Sequence, residues 1–245
     1  MTQQVPGPAE YTAHDSADHG HADVSGGWLR AAVFGAMDGL VTTIAIVAGV
    51  GGGGADRQMI ILTGMAGLVA GAFSMALGEF ASVGAQNDAV GHEVNVEREE
   101  IRRNPEVEAA ELAGMYEKLG LSESTARLVA EEVHSNPDLA VRVHITQELG
   151  VDPDDQPSPW TAAISSFLCF AVGGLLPLVP FLLGSPSLAL GMAVGAVGLF
   201  LLGALTARFT TRSWWAAGLR QLAFGAIAAA ATYLVGALIG VNAAG

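Results

Sequence analysis

Long stretches without a charged residue limit what this chain can fold into more than any other feature of the sequence. No Asp, Glu, Lys or Arg occurs in residues 58–78, 156–207 or 221–245, and residues 31–55 contain one charge, Asp38. A helix needs about 20 apolar residues to cross the roughly 30 Å core of a bilayer. The 52 residues 156–207 suffice for two helices, separated by a turn signal at Gly184-Ser-Pro-Ser. The sequence therefore predicts five membrane-spanning helices, near residues 30–50, 59–80, 161–183, 187–207 and 214–240.

Charge is scarce and concentrated in one segment. Only 14% of the 245 residues are charged, whereas a soluble domain has about 25%. Residues 86–156 contain 17 acidic and six basic residues, which is −11 of the chain's net −13. Such an acidic segment argues against nucleic acid as a partner and favours cations. The single cysteine, Cys169, lies in an apolar stretch and offers no disulfide framework.

The placement of Lys and Arg predicts the orientation of the spans. If the N-terminus is cytoplasmic, ten of the eleven Lys and Arg lie on or near that side, and Arg57 is the exception. Five spans place the C-terminus outside. We therefore expect an all-α, multi-pass protein with four parts in chain order: a disordered tail (1–27), spans one and two (28–85), a cytoplasmic helical metal-binding domain (86–157) and spans three to five (158–245). The tail carries a His- and Asp-rich tract at residues 14–23, for which weak metal capture is the lesser alternative.

Three helices of the middle segment each present a pair of candidate metal ligands. The second span is predicted to continue to about Arg103, where Asn104-Pro105 ends it, and further helices follow to Gly120, Ser135 and Gly150. Residues three or four apart share a helix face, and the pairs at these spacings are Glu97 with Glu100, Glu108 with Glu111, and His144 with Glu148. Carboxylates on facing helices are the usual ligands of di-metal centres in helical bundles.

A solvated acidic face is the alternative interpretation of these acids. Surface acids often have a base four residues on, and three acids of the segment do: Glu99 with Arg103, Glu123 with Arg127, and Asp138 with Arg142. None of the five glutamates in the candidate pairs has a base at that spacing. This difference favours a metal site.

Two spans carry polar or soft side chains that fit a cation path. Asp38 lies near the middle of the first span, where a charge costs several kcal/mol (roughly 3) and usually serves a function. It is a candidate cation ligand or proton carrier, with a neutral, hydrogen-bonded Asp as the alternative. Met75 offers a thioether to Fe²⁺ or a similar ion, although a lone Met is more often packing. Glu79 follows one helical turn later and could pass a cation towards the pore.

Several motifs together resemble the vacuolar iron transporter family, and the chain is similar to its bacterial members. They are Met37-Asp-Gly-Leu-Val-Thr-Thr, Gly71-Ala-Phe-Ser-Met-Ala-Leu-Gly-Glu-Phe, Glu108-Ala-Ala-Glu-Leu, Gln147-Glu-Leu-Gly and Arg220-Gln-Leu. The resemblance covers about residues 28–240. It implies five spans per subunit, a homodimer with the pore between subunits, and a cytoplasmic metal-binding domain between spans two and three.

The resemblance also implies an activity and its residues. The expected activity is proton-coupled export of Fe²⁺ from the cytosol across the cell membrane, with Mn²⁺, Zn²⁺ or Co²⁺ as further substrates and no organic cofactor. Asp38 matches the acid of the translocation path and Met75 the methionine ligand of the second span. The five glutamates of the metal-binding domain correspond to Glu97, Glu100, Glu108, Glu111 and Glu148.

Two positions depart from the plant-type pattern of that family. Gly67 stands where those members have an acid eight residues before the methionine, and we interpret Glu79 as its substitute in proton coupling. His144-Ile145 stands where those members have a methionine pair, so an imidazole joins the expected ligands and metal preference is expected to differ.

Two other functions stay open at this stage. One is a membrane-anchored metal sensor or store without flux, and the other is a ferroxidase built on the carboxylate cluster. Against a ferroxidase, the segment offers one histidine ligand candidate, His144, and has no repeated Glu-x-x-His.

Overall fold

The computed structural model describes residues 27–209 and 212–243, and within these ranges the chain is helical with no strand. The helices are α1 (Gly27–Gly52), α2 (Arg57–Arg103), α3 (Pro105–Lys118), α4 (Glu123–His134), α5 (Pro137–Leu149), α6 (Pro159–Leu175), α7 (Val179–Leu182), α8 (Leu188–Thr206) and α9 (Trp214–Ala243). The predicted all-α fold is confirmed. The predicted tail lies outside the described residues, except that Gly27 begins α1.

Five helical segments are long and apolar enough to cross a membrane, as the uncharged stretches predict. They are Trp28–Gly52, Arg57–Arg103, Pro159–Leu182, Leu188–Thr206 and Trp214–Gly240. The third segment is not one regular helix, because a 3₁₀ turn at Leu176–Leu178 separates α6 from α7. Pro177 and Pro180 lack the backbone N–H that a continuous α-helix would use there.

Helix α2 is much longer than a membrane span. Its 47 residues correspond to about 70 Å, whereas the bilayer core is about 30 Å thick. The Asp56 carboxylate caps its start by accepting a hydrogen bond from the Met59 N–H at 2.8 Å. It ends at Asn104, before Pro105. One continuous helix therefore joins the apolar bundle to the acidic segment.

Helix α1 lies at the centre of the apolar bundle and contacts α2, α6, α8 and α9. Its contact with α6 is closest at two glycines. A Cβ on Gly35 would lie 2.6 Å from the backbone oxygen of Ser166, and one on Gly39 would overlap the backbone oxygen of Phe170. These glycines let the two backbones meet directly. Asp38, which immediately precedes Gly39 in α1, lies beside that contact.

Helices α3 and α5 pack against α2, and α4 packs against α3 and α5, around a separate aliphatic core. Buried residues of this core include Ile101, Leu112, Ala126, Ala140 and Ile145. Ser122 and Asn136 cap α4 and α5 through their side-chain oxygens, and Gly150 ends α5 with φ of 67°. The helix boundaries expected at Asn104-Pro105 and Asn136-Pro137 are confirmed. This small bundle orients the acidic faces of α2, α3 and α5 towards each other.

Candidate metal site

His144 lies at the centre of the acidic cluster. Its side chain is completely buried, and its Nδ1 lies 3.1 Å from Oε1 of Glu97 and 3.2 Å from Oε1 of Glu148. Glu148 lies one turn further along α5, and Glu97 comes from α2. Because ionised carboxylate oxygens accept but do not donate, Nδ1 carries a proton when both carboxylates are ionised and no ion is bound.

Three side chains from three helices come close enough to share one metal ion. Glu97, Glu108 and His144 each offer a ligand atom, and these atoms lie within 4.8 Å of one another. Both glutamates are buried, and Oε1 of Glu97 accepts no well-aligned hydrogen bond from the residues that the structure describes. A buried carboxylate oxygen without a donor is costly unless a cation takes that place. Two carboxylates and an imidazole suit borderline divalent ions such as Fe²⁺ or Zn²⁺.

The electrostatics of the cluster disfavour ionised carboxylates until a cation arrives. Burial raises the pKa of Glu97 to about 7; His144 opposes this shift, while Glu148, Glu108 and Glu111 add to it by repulsion. Burial also raises the pKa of Glu108, and Glu111 adds to that shift. A divalent ion would relieve both the burial and the repulsion. The cluster is therefore poised to exchange protons for metal.

The other predicted glutamates lie around this trio rather than within it. The Glu148 side chain is 33% exposed and reaches the trio through His144. Glu111 is exposed on α3, and half-buried Glu100 accepts a hydrogen bond from Asn104 Nδ2 at 3.2 Å. The structure thus unites Glu97, Glu108 and His144, while Glu100 and Glu111 form the rim.

The acids that were expected to form surface ion pairs mostly do so. Glu99 binds Arg103 at 2.7 Å, and Glu123 binds Arg127 at 3.0 Å. The expected pair of Asp138 with Arg142 is wrong, because Arg142 binds Asp154 of the following linker at 2.7 Å. Asp138 lies 3.8 Å from Arg98 instead.

None of the five candidate glutamates pairs with Lys or Arg in the part of the chain that the structure describes. Their ion-pair contacts are with His144 alone, through Glu97 and Glu148. The sequence therefore correctly separates acids that pair with Arg from the five candidate glutamates, which do not.

His134 is a neighbour of the site that the sequence did not reveal. Its Nε2 lies 3.0 Å from Nε2 of His144, with the two rings nearly perpendicular. Burial lowers the pKa of His134, and His144 lowers it further. His134 is therefore a neighbour of the ligand candidate His144 and not one of the three residues that could share an ion. His134 ends α4 and lies ten residues before His144 on a different helix, so spacing rules within one helix do not connect the two residues. The sequence pattern that could have indicated His134 is Glu131-x-x-His134.

The polar residues of the spans lie apart from this trio. Asp38 and Met75 are half-buried on α1 and α2. The Thr42 hydroxyl lies 3.5 Å from Oδ1 of Asp38, at the limit of a hydrogen bond. The neighbouring Thr43 is completely buried, and its hydroxyl has no hydrogen-bond partner within the described residues.

Glu79 is not a free carboxylate. Its side chain is 10% exposed and binds Arg30 of α1 at 3.1 Å. Arg30 precedes Asp38 by eight residues, or about 12 Å along the helix. Glu79 therefore lies near the same end of α1 as Arg30, with its charge already compensated.

Gly67 of α2 packs against the end of the Ile46 side chain of α1. A Cβ on Gly67 would collide with Cδ1 of Ile46 on α1. A carboxylate side chain therefore needs Ile46 to move before it fits between α1 and α2. The departure at Gly67 is matched by a bulky neighbour.

Comparison with known proteins gives a consistent result. The sequence profile described as the VIT family matches residues 29–237. A vacuolar iron transporter of Acanthamoeba castellanii is 34% identical over 205 residues, covering 79% of this chain and 75% of that protein. Vacuolar iron transporter 1 of Oryza sativa subsp. japonica is 29% identical over 230 residues, covering 90% and 91%. Vacuolar iron transporter homolog 2 of the same plant is 34% identical over 214 residues, covering 85% and 88%.

Proposed function

This chain belongs to the VIT family, and from that premise we propose that it exports Fe²⁺ from the cytosol in exchange for protons. The names of its relatives describe iron transporters, which supports metal transport rather than enzymatic turnover. The observation that carries the proposal is the convergence of Glu97, Glu108 and His144 at one end of α2. The same helix bears Met75 in its apolar half.

In the proposed mechanism the acidic domain captures the ion first. Fe²⁺ takes the place of the protons on Glu97 and Glu108. The negative charge of the surrounding glutamates raises the local cation concentration; these are Glu100, Glu111 and Glu148. The net charge of −11 in residues 86–156 extends this attraction beyond the ligands themselves. Capture is therefore fast and favours divalent over monovalent ions.

The ion then moves along α1 and α2. Glu79 is paired with Arg30, so an arriving cation competes with a guanidinium for that carboxylate before it reaches Met75 and Asp38. Protonation of Asp38 from the far side weakens its hold on the ion and releases it. Protons thus drive export, with Glu79 as the proposed substitute for an acid at position 67.

The proposal includes the surroundings of the chain. The acidic domain and the N-terminus face the cytosol, the C-terminus lies on the opposite side, and two subunits form the pore between them. We assign the chain to the cell membrane; the relatives are named after vacuoles, and both membranes have one cytosolic face. Mn²⁺, Zn²⁺ and Co²⁺ are further proposed substrates.

The decisive experiment is a flux assay in proteoliposomes across these four metals with an imposed pH gradient. The proposal expects metal movement that increases with an opposing proton gradient and collapses when an ionophore removes it. Binding without flux would identify a sensor or store instead. Consumption of O₂ on addition of Fe²⁺ would favour a ferroxidase, for which the two neighbouring histidines are the supporting observation.

A further inference from the structure

A cavity of about 710 Å³ lies where the apolar bundle meets the acidic domain. Its walls come from the start of α1, the middle of α2, the linker after α5 and the start of α6. They include Trp28 and Arg30 of α1, Asn87 of α2, and Asp152 and Asp155 of the linker. The size is that of small-molecule sites, which measure roughly 300–1,000 Å³, and no residue of the metal trio lines the cavity.

The cavity lies at the level of the lipid headgroups when the apolar segments span a membrane. The segments Trp28–Gly52 and Pro159–Leu182 both begin beside it. Its α2 wall starts at Ser82, about 38 Å along the helix from the start of α2, which exceeds the roughly 30 Å of the bilayer core. Trp28 and Trp160 are exposed here, and indole rings favour the membrane interface. Phospholipid headgroups are therefore the ligands that this cavity meets.

Arg30 offers hydrogen-bond donors to the cavity. Its side chain is 68% exposed, although Nη2 donates to Oε2 of Glu79 at 3.1 Å. A guanidinium has five N–H groups, so this single contact leaves donors that can bind a phosphate. The pair with Glu79 also holds the Arg30 side chain in place, and guanidinium groups bind phosphate oxygens through two parallel hydrogen bonds.

The linker contributes two carboxylates to the same cavity. Asp152 and Asp155 line it, and neither pairs with Lys or Arg among the residues that the structure describes. Asp154, which lies between them, forms its ion pair outside the cavity. This wall is anchored to α2, because Nδ2 of Asn87 donates to the backbone oxygen of Pro157 at 3.0 Å.

A basic group and two carboxylates without a basic partner suit a ligand that carries both charges. The phosphate of phosphatidylethanolamine meets the donors of Arg30, and its primary ammonium has three N–H donors, like that of Lys, for Asp152 and Asp155. A choline headgroup lacks these N–H groups, and an anionic glycerol headgroup offers the carboxylates no positive charge. A metal ion would satisfy the carboxylates but would be repelled by Arg30.

We propose that this cavity binds the headgroup of a phospholipid with a primary amine, with Arg30 holding the phosphate and Asp152 and Asp155 holding the ammonium. The bound lipid connects α1 to the linker that joins the acidic domain to α6, so it stabilises the junction between the two parts of the protein. The inference requires insertion into a membrane and is independent of the proposed transport and metal capture.

The test measures lipid binding to the full-length protein in detergent by native mass spectrometry with a chelator present. The probes are phosphatidylethanolamine, phosphatidylcholine and phosphatidylglycerol with identical acyl chains, together with water-soluble glycerophosphoethanolamine. A double variant combines Asp152→Asn with Asp155→Asn, and the amide oxygen at position 152 can still accept the Asp154 N–H, which the carboxylate accepts at 2.9 Å. Asp88→Asn is the matched control, because Asp88 is exposed on α2 and does not line the cavity.

The proposal expects the wild type and Asp88→Asn to bind phosphatidylethanolamine about tenfold more tightly than the other two lipids, because only its headgroup makes the charged hydrogen bonds to the linker. The double variant should lose this preference and keep the wild-type helix content by circular dichroism. Equal binding of the three lipids by the wild type, or a preference that survives in the double variant, would overturn the proposal.

Two further outcomes would assign the cavity to another ligand. Binding of glycerophosphoethanolamine as tight as that of the lipid would show a soluble ligand and overturn the assignment to the membrane. A separate titration with Mn²⁺ omits the chelator. Loss of Mn²⁺ binding in the double variant, without a lipid preference in the wild type, would identify a cation site and overturn the proposal as well.

Discussion

Nδ1 of His144 lies 3.1 Å from Oε1 of Glu97, and this contact joins α5 to the far end of the helix that enters the apolar bundle. Both side chains are buried, so neither can trade its partner for water. The Glu97 carboxylate also lies close to Glu108, since the candidate ligand atoms of the two residues are within 4.8 Å of each other. A change of charge at this point therefore affects α2, α3 and α5 together.

Removing one carboxylate of the trio should weaken metal binding. We expect Glu97→Gln and Glu108→Gln each to lower Zn²⁺ or Fe²⁺ affinity by tenfold or more, because an amide is a poorer ligand than an ionised carboxylate. Glu106→Gln is the control, since Glu106 lies exposed on the same helix as Glu108. Equilibrium dialysis measures the change, and equal affinities for Glu108→Gln and Glu106→Gln would contradict the site.

Without metal, the contribution of Glu97 to the free energy of unfolding should fall as pH rises from about 4.5 to about 7. The pKa of Glu97 is raised from 4.5 to about 7 in the folded protein, so the folded state binds this proton more tightly than the unfolded state. Below this pH range Glu97 is protonated in both the folded and the unfolded state, so its stabilising contribution is fully present. Above the range Glu97 is ionised in both states, and that contribution is lost. At 1.36 kcal/mol per pKa unit the upper limit is roughly 3 kcal/mol.

Thermal unfolding in detergent with a chelator present measures this slope. Glu97→Gln should flatten it, because the amide does not titrate, and Glu106→Gln should leave it unchanged. Saturating Zn²⁺ should reverse the trend, since the ion binds the ionised form. An identical pH dependence of the melting temperature in wild type and Glu97→Gln without metal would contradict the prediction.

Asp38→Asn should abolish flux while the acidic domain still binds metal. The amide keeps the size of the side chain but neither ionises nor carries a proton. Asp56→Asn is the matched control, because Asn caps a helix as well as Asp does and Asp56 caps α2. Flux through Asp38→Asn at the wild-type rate would exclude Asp38 from the path.

Breaking the ion pair of Arg30 with Glu79 should destabilise the bundle. Arg30→Gln leaves a carboxylate that is 10% exposed without its partner, at a cost of about 1–3 kcal/mol. The melting temperature should fall by several degrees, and Arg30→Lys should recover part of it. Arg127→Gln breaks an exposed pair with Glu123 and should change little. Similar effects of the two Gln substitutions would argue against a buried role for Glu79.

Replacing Gly39 by Ala should disrupt the contact of α1 with α6. The new methyl group would overlap the backbone oxygen of Phe170, which cannot rotate away as a side chain can. Gly84→Ala is the control, because outside the surrounding turns of α2 no atom of the described residues lies within 4 Å of its added Cβ, and Ala stabilises a helix relative to Gly. Melting temperatures should therefore move in opposite directions, and a stable Gly39→Ala protein would contradict the packing.

The helix boundaries could be predicted well from the sequence because their causes are local. Uncharged stretches of span length set the five apolar segments, and Asn104-Pro105 and Asn136-Pro137 set helix boundaries within the acidic segment. The pairing of Asp138 with Arg142 failed for the opposite reason. Arg142 pairs with Asp154 instead. Asp154 lies in the linker after α5, and it comes close to Arg142 only because the linker folds back.

By itself the sequence determined which residues could be ligands: five glutamates without a base four residues on, and a histidine on the last helix of the acidic segment. The tertiary structure alone decided that Glu97, Glu108 and His144 share a site, that Glu100 and Glu111 stay at its rim, and that His134 faces His144. Helical spacing relates side chains within one helix, whereas a metal site needs atoms from several. Their distances depend on how α2, α3, α4 and α5 pack around a common core, which no local pattern encodes.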